Sequence, residues 1–327
     1  SEKEEKVQVE KNLTIWYLPM KHLGAHGFMD CKNLDPQLKA LFCFGDQQIF
    51  LPHVYRWCRR RRIPFAAYVG TAHSLDSNFK SKVMNALFAA GTLRIYKKNP
   101  VLAKTSAAKE ELRQLGVPHA VIAPVGLDTA VLKKNIPADE KMRLRKEHGF
   151  EADDVILCNV SRLSWEKRPL ELIDLFLQVK GKKKFKLIIV GNGPLEEELN
   201  EKIRKNGLEK EVKIYPNVPY EKMWEIYEMS DYYLNMNKGE IFGMAIMEAV
   251  YYKTSVAAIR ALGPSVTLKD MKGHKLCEND DEMAEWITGP YPSEKDLQES
   301  SEKMAATFTW DRCADAFLQA SSEKSSR

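Results

Sequence analysis

Short apolar segments alternate with helical segments along most of the chain, and this alternation constrains the fold more than any other feature. The apolar segments are rich in β-branched and aromatic residues, as parallel strands buried on both faces are. Strands are predicted at residues 13–18, 40–44, 65–69, 101–104, 120–124, 155–160, 187–190, 212–215, 232–235 and 255–258. Helices are predicted at residues 80–98, 106–115, 168–179, 195–205, 221–229 and 244–252. Strict alternation of this kind predicts an α/β fold with parallel sheets covered by helices.

A polar stretch at residues 133–151 interrupts the pattern, which then resumes. A chain of 327 residues is long enough for two cores of ordinary size. We therefore predict two Rossmann-like domains, residues 1–135 and 136–293, followed by a last segment, residues 294–327. Ligands of such open sheets bind beyond the carboxyl ends of the strands, so functional residues are expected in the loops that follow strands.

Charge is distributed unevenly along the chain. The net charge is +5, but residues 1–150 carry 25 Lys/Arg against 14 Asp/Glu, and residues 151–327 carry 25 against 31. The basic excess is concentrated between Arg56 and Lys109 and includes four consecutive arginines at 59–62. Two interpretations of this segment stay open: contact with an anionic membrane surface, and a solvated charge run. Because no aromatic stacking motif accompanies the charges, we expect no nucleic-acid partner.

The sequence contains no apolar run long enough to span a membrane, and residues 1–11 are charged where a signal peptide would be apolar. The cysteines are scattered without a Cys-x-x-Cys pair, as expected of reduced thiols. They are Cys31, Cys43, Cys58, Cys158, Cys277 and Cys313. We therefore expect a cytoplasmic protein, with peripheral attachment to the inner face of a membrane as the second option.

Residues 238–248, which follow a predicted strand, concentrate candidate ligand-binding groups. Gly243 stands near the start of a helix, where free backbone N–H groups suit a phosphate. Glu248 is the only charged residue in the stretch 241–252, so it lies on an otherwise apolar helix. A buried carboxylate needs a partner, and two interpretations stay open: the ribose hydroxyls of a ligand, and a lysine from a neighbouring loop. Glu240, beside a glycine, is by itself typical of a solvated surface acid.

Two further segments follow predicted strands. Arg162 and Lys167 come after the strand at 155–160, where two fixed positive charges could neutralise a diphosphate. An ordinary basic loop is the alternative. In residues 187–194 a strand turns through Gly191 and a second glycine into a helix. Turn geometry alone explains these glycines, and the segment matches neither the full dinucleotide fingerprint nor a Walker loop.

Together these segments resemble the carboxyl-terminal domain of family-4-like retaining glycosyltransferases with the GT-B fold. The likeness is strongest in Glu240-x7-Glu248, which contains Phe242-Gly243. The other matching segments, in family order, are residues 161–167, 190–194 and 215–218. The likeness continues more faintly in residues 70–73, 105–106, 124–128 and 308–310.

The resemblance implies two Rossmann-like domains facing across a cleft, with a last helix that crosses back to the first domain. It also implies a nucleotide-sugar donor held mainly by the second domain. The implied catalytic residues are Glu240, against the donor sugar, and His73, facing that sugar from the first domain. The other implied donor contacts are Arg162 and Lys167 on the diphosphate, Phe242, Gly243 and Met244 through backbone N–H groups, Glu248 on the ribose, Val218 near the base, and Gly191.

The same resemblance predicts an enzyme, a hexosyltransferase that retains the configuration of the sugar. Its donor is expected to be a UDP-sugar, and its acceptor a glycan, a polysaccharide or a lipid-linked saccharide. No metal or other cofactor is expected, because Arg162 and Lys167 can stabilise the departing diphosphate and no Asp-x-Asp motif lies near them. Two hypotheses stay open beside it: a related sugar epimerase or phosphorylase, and a non-catalytic binding or scaffold subunit.

The sequence departs from the family pattern at two places. The amino-terminal region is short, and residues 23–27 are the only candidate for the family's Gly-rich loop, so the acceptor side of the site stays undefined. After Glu248 the family commonly has a glycine before the next strand, where this chain has Lys253-Thr254-Ser255.

Overall fold

The computed structural model describes residues 5–11, 13–23, 26–35, 37–44, 49–72 and 79–322. Contacts between Cα atoms divide the chain into two compact units. The first consists of Ser1–Ala123 with Ala314–Arg327, and the second of Pro124–Cys313. The domain limits expected from the sequence, at 135/136 and 293/294, stay predictions. No helix among the described residues is long and apolar enough to cross a membrane.

The chain begins with two short antiparallel pairs. They are β1 (Glu5–Glu10) with β2 (Leu13–Tyr17), and β3 (Met20–Leu23) with β4 (His26–Met29). The predicted strand at 13–18 is thus a strand, but its expected place in a buried parallel sheet is wrong. Val7, Ile15 and Tyr17 are exposed. Polar and apolar residues alternate in β1, which suits an antiparallel strand in contact with solvent.

The rest of the first unit is built around a four-stranded parallel sheet. Its elements are β5 (Leu41–Phe44), α1 (Leu51–Arg61), β6 (Phe65–Val69), α2 (Phe79–Ala90), α3 (Thr92–Tyr96), β7 (Val101–Ala103), α4 (Ser106–Gln114) and β8 (Val121–Ile122). The strand order is β5-β6-β7-β8. The single helix predicted at 80–98 is wrong in one respect: Gly91, whose φ and ψ of −110° and −80° are not helical, separates α2 from α3.

The second unit is a six-stranded, wholly parallel sheet with helices on both faces. Its elements are α5 (Glu140–Glu147), β9 (Val155–Val160), α6 (Pro169–Val179), β10 (Phe185–Val190), α7 (Glu196–Lys205), β11 (Val212–Tyr215), α8 (Met223–Met229), β12 (Tyr232–Asn235), α9 (Met244–Tyr251), β13 (Ser255–Ile259), α10 (Leu262–Thr267), β14 (Lys275–Cys277), α11 (Asp280–Thr288) and α12 (Glu294–Thr307). A last helix, α13 (Trp310–Ser322), begins in this unit and ends in the first. The predicted α/β fold with parallel sheets is confirmed.

Side chains from successive residues of the central strands enter two separate cores. Ile156 and Cys158 of β9 pack with α8 and α9 on one face of the sheet. Leu157 packs with α6, α7 and α11 on the other face. This division follows from the two-residue period of a strand, and it explains why these strands are apolar at most positions.

The strand order β11-β10-β9-β12-β13-β14 fixes where a ligand can bind. From β9 the chain proceeds outward through β10 and β11, and from β12 it proceeds outward in the opposite direction through β13 and β14. The loops after β9 and β12 therefore leave neighbouring strands toward opposite faces, which opens a crevice at their carboxyl ends. Arg162 and Lys167 follow β9, and Glu240 follows β12.

Candidate functional site

An ion pair joins the two loops at this crevice. Lys167 Nζ lies 2.9 Å from Glu240 Oε2, and the two side chains are only 22% and 16% exposed. Lys167 lies in a 3-10 turn, Trp165–Lys167, that directly precedes α6. The sequence had suggested both residues as separate ligand contacts. The structure adds that each is the other's partner, so Lys167 is not a free cation.

The turn after β12 holds the Glu240 carboxylate in place. Asn237 Nδ2 donates to Glu240 Oε2 at 3.1 Å. Asn237 is itself fixed, because its backbone N–H donates to Asn235 Oδ1 and its own Oδ1 accepts from the Gly239 N–H. The two asparagines are site residues that sequence reasoning missed. Their signal was the Asn-x-Asn pattern at the end of a strand, which is typical of side-chain-to-backbone turns.

The electrostatics of Glu240 are set by two opposing effects. Burial raises the pKa of the carboxyl, but the hydrogen bond and charge of Lys167, together with the hydrogen bonds of Asn237 and Asn235, outweigh it and lower the pKa below its ordinary value. Glu240 is therefore an anion at neutral pH, and it is half-buried and not the solvated surface acid that its local sequence suggested.

Glu248 lies on the buried face of α9 and is 8% exposed. Its Oε2 accepts a hydrogen bond of 2.8 Å from the phenol of Tyr227, and the Tyr220 phenol also bonds it. Burial raises the pKa of the Glu248 carboxyl, and the two phenols only partly oppose this. Among the described residues no lysine pairs with it, so the lysine interpretation is wrong. With Tyr220, Trp224 and Leu132, Glu248 lines a small cavity.

The start of α9 presents backbone N–H groups to the same crevice. Gly243 is the residue before the helix and has a φ of +89°, a left-handed conformation that favours glycine. Phe242 is buried with its ring edge-on to Phe308 at 5.9 Å, and Met244 is 37% exposed. The buried ring and the glycine position the first turn of α9, whose unpaired N–H groups suit an anion.

Gly263, at the start of α10 after β13, contacts the loop that carries Glu240 and Phe242. Its N–H donates to the Glu240 carbonyl at 2.8 Å. A Cβ at Gly263 would lie 2.5 Å from the Phe242 backbone nitrogen. Sequence reasoning missed this contact, because nothing local in the sequence shows that two backbones meet there.

Arg162 differs from Lys167 in exposure. Its side chain is 76% exposed, and its only partner among the described residues is Glu166, 2.9 Å from Nη2. Since an exposed ion pair contributes little, Arg162 can exchange Glu166 for an anion at small cost.

Arg168, the next basic residue, was missed by sequence reasoning. It adopts a φ of +55° before α6, and its guanidinium binds Asp280 of α11 with two hydrogen bonds of 2.8 and 3.1 Å. It also donates to the Met236 carbonyl at 3.4 Å, at the end of β12. Arg168 thereby fixes the position of the turn that carries Lys167.

The close packing of two loops requires a glycine at position 191. Its φ is +138°, and a Cβ there would lie 1.9 Å from the Ser161 carbonyl oxygen. Leu163 N–H also donates to the Asn192 carbonyl at 2.8 Å. The loop after β10 therefore supports the loop that carries Arg162, which is a structural requirement independent of any ligand.

The remaining sequence-predicted positions are less defined. His73 lies outside the described residues, as do two residues of the Gly-rich candidate loop at 23–27. Val218 is partly buried against the core beneath α8 and α9. The described residues contain no cluster of three or more His, Cys, Asp or Glu side chains arranged to hold a metal ion.

The arrangement combines three chemical elements: an exposed guanidinium with a helix N-terminus and an ion-paired carboxylate, both at the crevice, and a buried carboxylate held by phenols on α9. The first suits phosphate, and the carboxylates suit hydroxyl donors. The site is thus suited to a ligand with both phosphate and polyol parts.

Comparisons with known proteins identify the family of the chain. Residues 140–304 match the family model described as glycosyl transferases group 1. D-inositol 3-phosphate glycosyltransferase of Mycobacterium avium is 26% identical over 285 residues, which cover 76% of this chain and 62% of that protein. The chain therefore spans less than two thirds of that relative's length.

Alpha-monoglucosyldiacylglycerol synthase of Streptococcus pneumoniae is 24% identical over 139 residues, 42% of this chain and 32% of that protein. Among solved structures, Anabaena HepE in complex with UDP and glucose is similar with a TM-score of 0.70 at 18% identity, over 88% of this chain and 78% of that chain. The structural neighbours are GT-B glycosyltransferases, which confirms the predicted fold class.

Proposed function

The chain belongs to the glycosyl transferases group 1 family, and from this premise we propose that it is a retaining, metal-independent hexosyltransferase. Its donor is a UDP-sugar, and its acceptor is a glycan, a polysaccharide or a lipid-linked saccharide. The observation that carries the proposal is that the Lys167–Glu240 pair and the start of α9 meet at the crevice between β9 and β12, with the buried Glu248 farther along the same helix.

Each group has one role in the proposed donor complex. Arg162 and the first N–H groups of α9 bind the diphosphate, with Lys167 beside them. Glu248, already held by Tyr227 at 2.8 Å, accepts hydrogen bonds from the ribose hydroxyls. Val218 and Gly191 lie at the nucleoside end of the site. Support for UDP comes from Anabaena HepE, which was solved with UDP and glucose.

The chemical step breaks the bond between the sugar C1 and the diphosphate oxygen and forms a bond from C1 to an acceptor oxygen. The acceptor proton passes to the departing diphosphate on the same face, which retains the configuration. Arg162 and Lys167 stabilise the leaving group electrostatically and supply the charge that a metal would otherwise provide. Glu240 polarises the sugar, and His73, which lies outside the described residues, is the second proposed catalytic residue on the family resemblance.

A membrane-bound acceptor would suit the first unit. Helix α1 exposes Arg56, Arg59, Arg60, Arg61 and Arg62, and none of them has an ion pair among the described residues. Helix α2 exposes Phe79, Val83 and Leu87 at a spacing of four residues. Basic and apolar surfaces of this kind bind anionic lipid vesicles reversibly. Sedimentation with vesicles of phosphatidylglycerol, compared with phosphatidylcholine, tests this part.

The decisive experiment is a panel of nucleotide sugars. Thermal shift and slow donor hydrolysis are measured for UDP-, GDP-, ADP- and CDP-sugars, with and without EDTA. We expect a stability increase and hydrolysis with one UDP-sugar, unchanged by EDTA, and a product with the donor's anomeric configuration by NMR.

Other outcomes of the panel contradict the proposal in distinct ways. Loss of hydrolysis in EDTA would contradict metal independence. Interconversion of the donor sugar without transfer would favour an epimerase, and activity with inorganic phosphate a phosphorylase. Stabilisation by no nucleotide sugar would favour a binding or scaffold subunit.

A further inference from the structure

A large groove lies within the second unit, away from the crevice between β9 and β12. It has a volume of about 810 Å³ and runs between α12 and residues 133–141. Its floor includes the carboxyl end of α9, at Tyr251 to Lys253. Gly243 and Met244 lie at the opposite end of α9, whereas Glu248 lies one turn from Tyr252, and its small cavity shares Lys133 and Tyr252 with the groove. Every residue that lines the groove lies in the second unit. A groove of this size can hold several sugar units or another ligand of several hundred Å³.

The charges that line the groove are balanced. Lys141 is neutralised by Asp231, whose Oδ1 lies 2.9 Å from its Nζ. The other charged lining residues are the cations Lys133, Lys134 and Lys253 and the anions Glu228, Glu294 and Glu302. Three cations among three anions give no net attraction for a ligand of high charge, whereas they offer both donors and acceptors to a neutral polyol.

Tyrosines provide the apolar part of the groove. Tyr251 and Tyr291 line it, and Tyr291 is 45% exposed. A sugar ring has an apolar face of C–H groups and an edge of hydroxyls, so it packs on a tyrosine ring while neighbouring polar groups bind its edge. Tyrosine combines these two properties at low entropic cost, because its side chain has few rotatable bonds.

Two lining residues adopt backbone conformations that favour glycine. Lys253 has a φ of +59° and Asn135 a φ of +54°. Asparagine tolerates this conformation, but a lysine costs roughly 1 kcal/mol relative to glycine there. Lys253 is also exposed and forms no salt bridge among the described residues. The backbone conformation at this position therefore does not favour a lysine, whose exposed side chain lines the groove.

Glu228 is the most constrained polar group of the groove. It lies on α8, is partly buried, and accepts no hydrogen bond from any described residue. Burial raises the pKa of its carboxyl, while Lys141 and Lys253 lower it. A half-buried carboxylate that faces a groove and has no protein donor can accept hydrogen bonds from the hydroxyl groups of a ligand.

We propose that this groove is a second carbohydrate site, which binds a neutral oligosaccharide independently of the donor. Tyr251 and Tyr291 pack on sugar rings, Glu228 accepts hydrogen bonds from hydroxyl groups, and Lys253 donates to them. The site holds a glycan chain to the enzyme while the crevice at the other end of α9 binds donor. It goes beyond the proposed transferase function and does not depend on it.

The test uses the full chain on an array of neutral, uronic-acid-containing and sulfated oligosaccharides, and then titrates the best neutral oligosaccharide by saturation-transfer NMR. The groove variants are Tyr291→Ala, Glu228→Ala and Lys253→Gly. Matched controls are Tyr17→Ala, which removes a tyrosine that is 46% exposed elsewhere, and Glu225→Ala on the same helix as Glu228. UDP binding is measured for every variant.

We expect each groove variant to weaken oligosaccharide binding by about tenfold or more, since each removes one ring contact or hydrogen bond. The controls change it by less than about twofold, the scale of a surface substitution. UDP affinity stays constant in all variants. Lys253→Gly is informative because it relieves backbone strain, so a loss of binding cannot come from unfolding.

Three results would overturn the proposal. One is the absence of neutral oligosaccharide binding by protein that binds UDP. Another is binding that the three groove variants leave intact, which would place the glycan elsewhere. The third is selective binding of sulfated oligosaccharides, which would make the groove an anion site. If the groove binds a glycan and UDP does not bind at all, this proposal holds and the proposed donor fails.

Discussion

The loop that carries Glu240 and the helix that carries Glu248 hold their carboxylates in different ways. Glu240 is paired with a cation at 2.9 Å and has a lowered pKa. Glu248, eight residues later, is bonded by the neutral phenols of Tyr227 and Tyr220 and has a raised pKa. The residue type and the motif are the same, but the first region stabilises the charged form and the second disfavours it.

This difference indicates different tasks. A carboxylate held as an anion beside Lys167 can polarise a reacting sugar at any physiological pH. A carboxylate held by phenols in a buried site gains from additional hydrogen-bond donors, so ligand hydroxyls would stabilise its charged form. The contrast is therefore what a donor site needs if Glu240 faces the chemical step and Glu248 only binds.

The largest expected effect is on turnover. Glu240→Ala should lower sugar transfer by about 100-fold or more, the scale of removing one electrostatic contact in a transition state. UDP affinity should not fall and should rise by no more than about threefold, because the substitution frees Lys167 and removes a negative charge near the diphosphate. Transfer rates and calorimetric titration with UDP measure the two effects. Glu198→Ala, an exposed acid on α7, is the control, and full activity of Glu240→Ala would remove Glu240 from the mechanism.

The second effect is on binding. Arg162→Ala should weaken UDP binding by about 10- to 100-fold, the usual size for a charge-assisted hydrogen bond, with little change in stability because Arg162 is 76% exposed. Calorimetric titration with UDP measures it. Arg143→Ala is the matched control, since Arg143 is also exposed and ion-paired, 2.6 Å from Glu140. An unchanged dissociation constant for UDP would contradict the assignment of Arg162 to the diphosphate.

The third effect is on stability in the Glu248 region. Tyr227→Phe should lower the free energy of unfolding by about 1–2 kcal/mol, because it removes a buried donor 2.8 Å from the carboxylate. Tyr233→Phe is a control in the same core, since its hydroxyl makes a long bond of 3.4 Å to the Val160 carbonyl and another to the Asn235 side chain, and neither partner is a carboxylate. Urea unfolding compares the two, and an equal loss in both variants would contradict a special role for the Tyr227 phenol.

The sequence predicted the second unit well because most of its strands are predominantly apolar and buried. The strands at 155–160, 212–215 and 232–235 were predicted with the bounds that β9, β11 and β12 have. The first unit was harder. The period-two pattern around residues 13–17 places a strand without saying which strand it pairs with, and a single glycine at 91 divides a helix whose apolar spacing continues across it.

In the candidate site, too, the sequence predicted residues but not the contacts between them. The sequence could name Lys167 and Glu240, but their pairing across 73 residues depends on β9 and β12 being neighbours in the sheet. The partner of Glu248 was not predictable for another reason. Tyr227 lies on an amphipathic helix, where an aromatic residue indicates core packing, and only its hydroxyl reaches the carboxylate.

The smallest effect, and the most direct test of the contrast, is in the pH dependence of stability. Glu240, with its pKa lowered from 4.5, stabilises the fold when charged, and this contribution is lost as the pH falls from about 4.5 through its folded pKa. Glu248, with its pKa raised from 4.5, favours the fold when protonated, so stability falls as the pH rises from about 4.5 through its folded pKa. Urea unfolding between about pH 3 and 8 should therefore show that Glu240→Gln flattens the acidic limb of the profile. Glu248→Gln should remove a decline in stability above pH 4.5. The difference in free energy of unfolding between the wild type and each variant is plotted against pH. If these two difference curves have slopes of the same sign, the opposite pKa shifts of the two carboxyls are refuted.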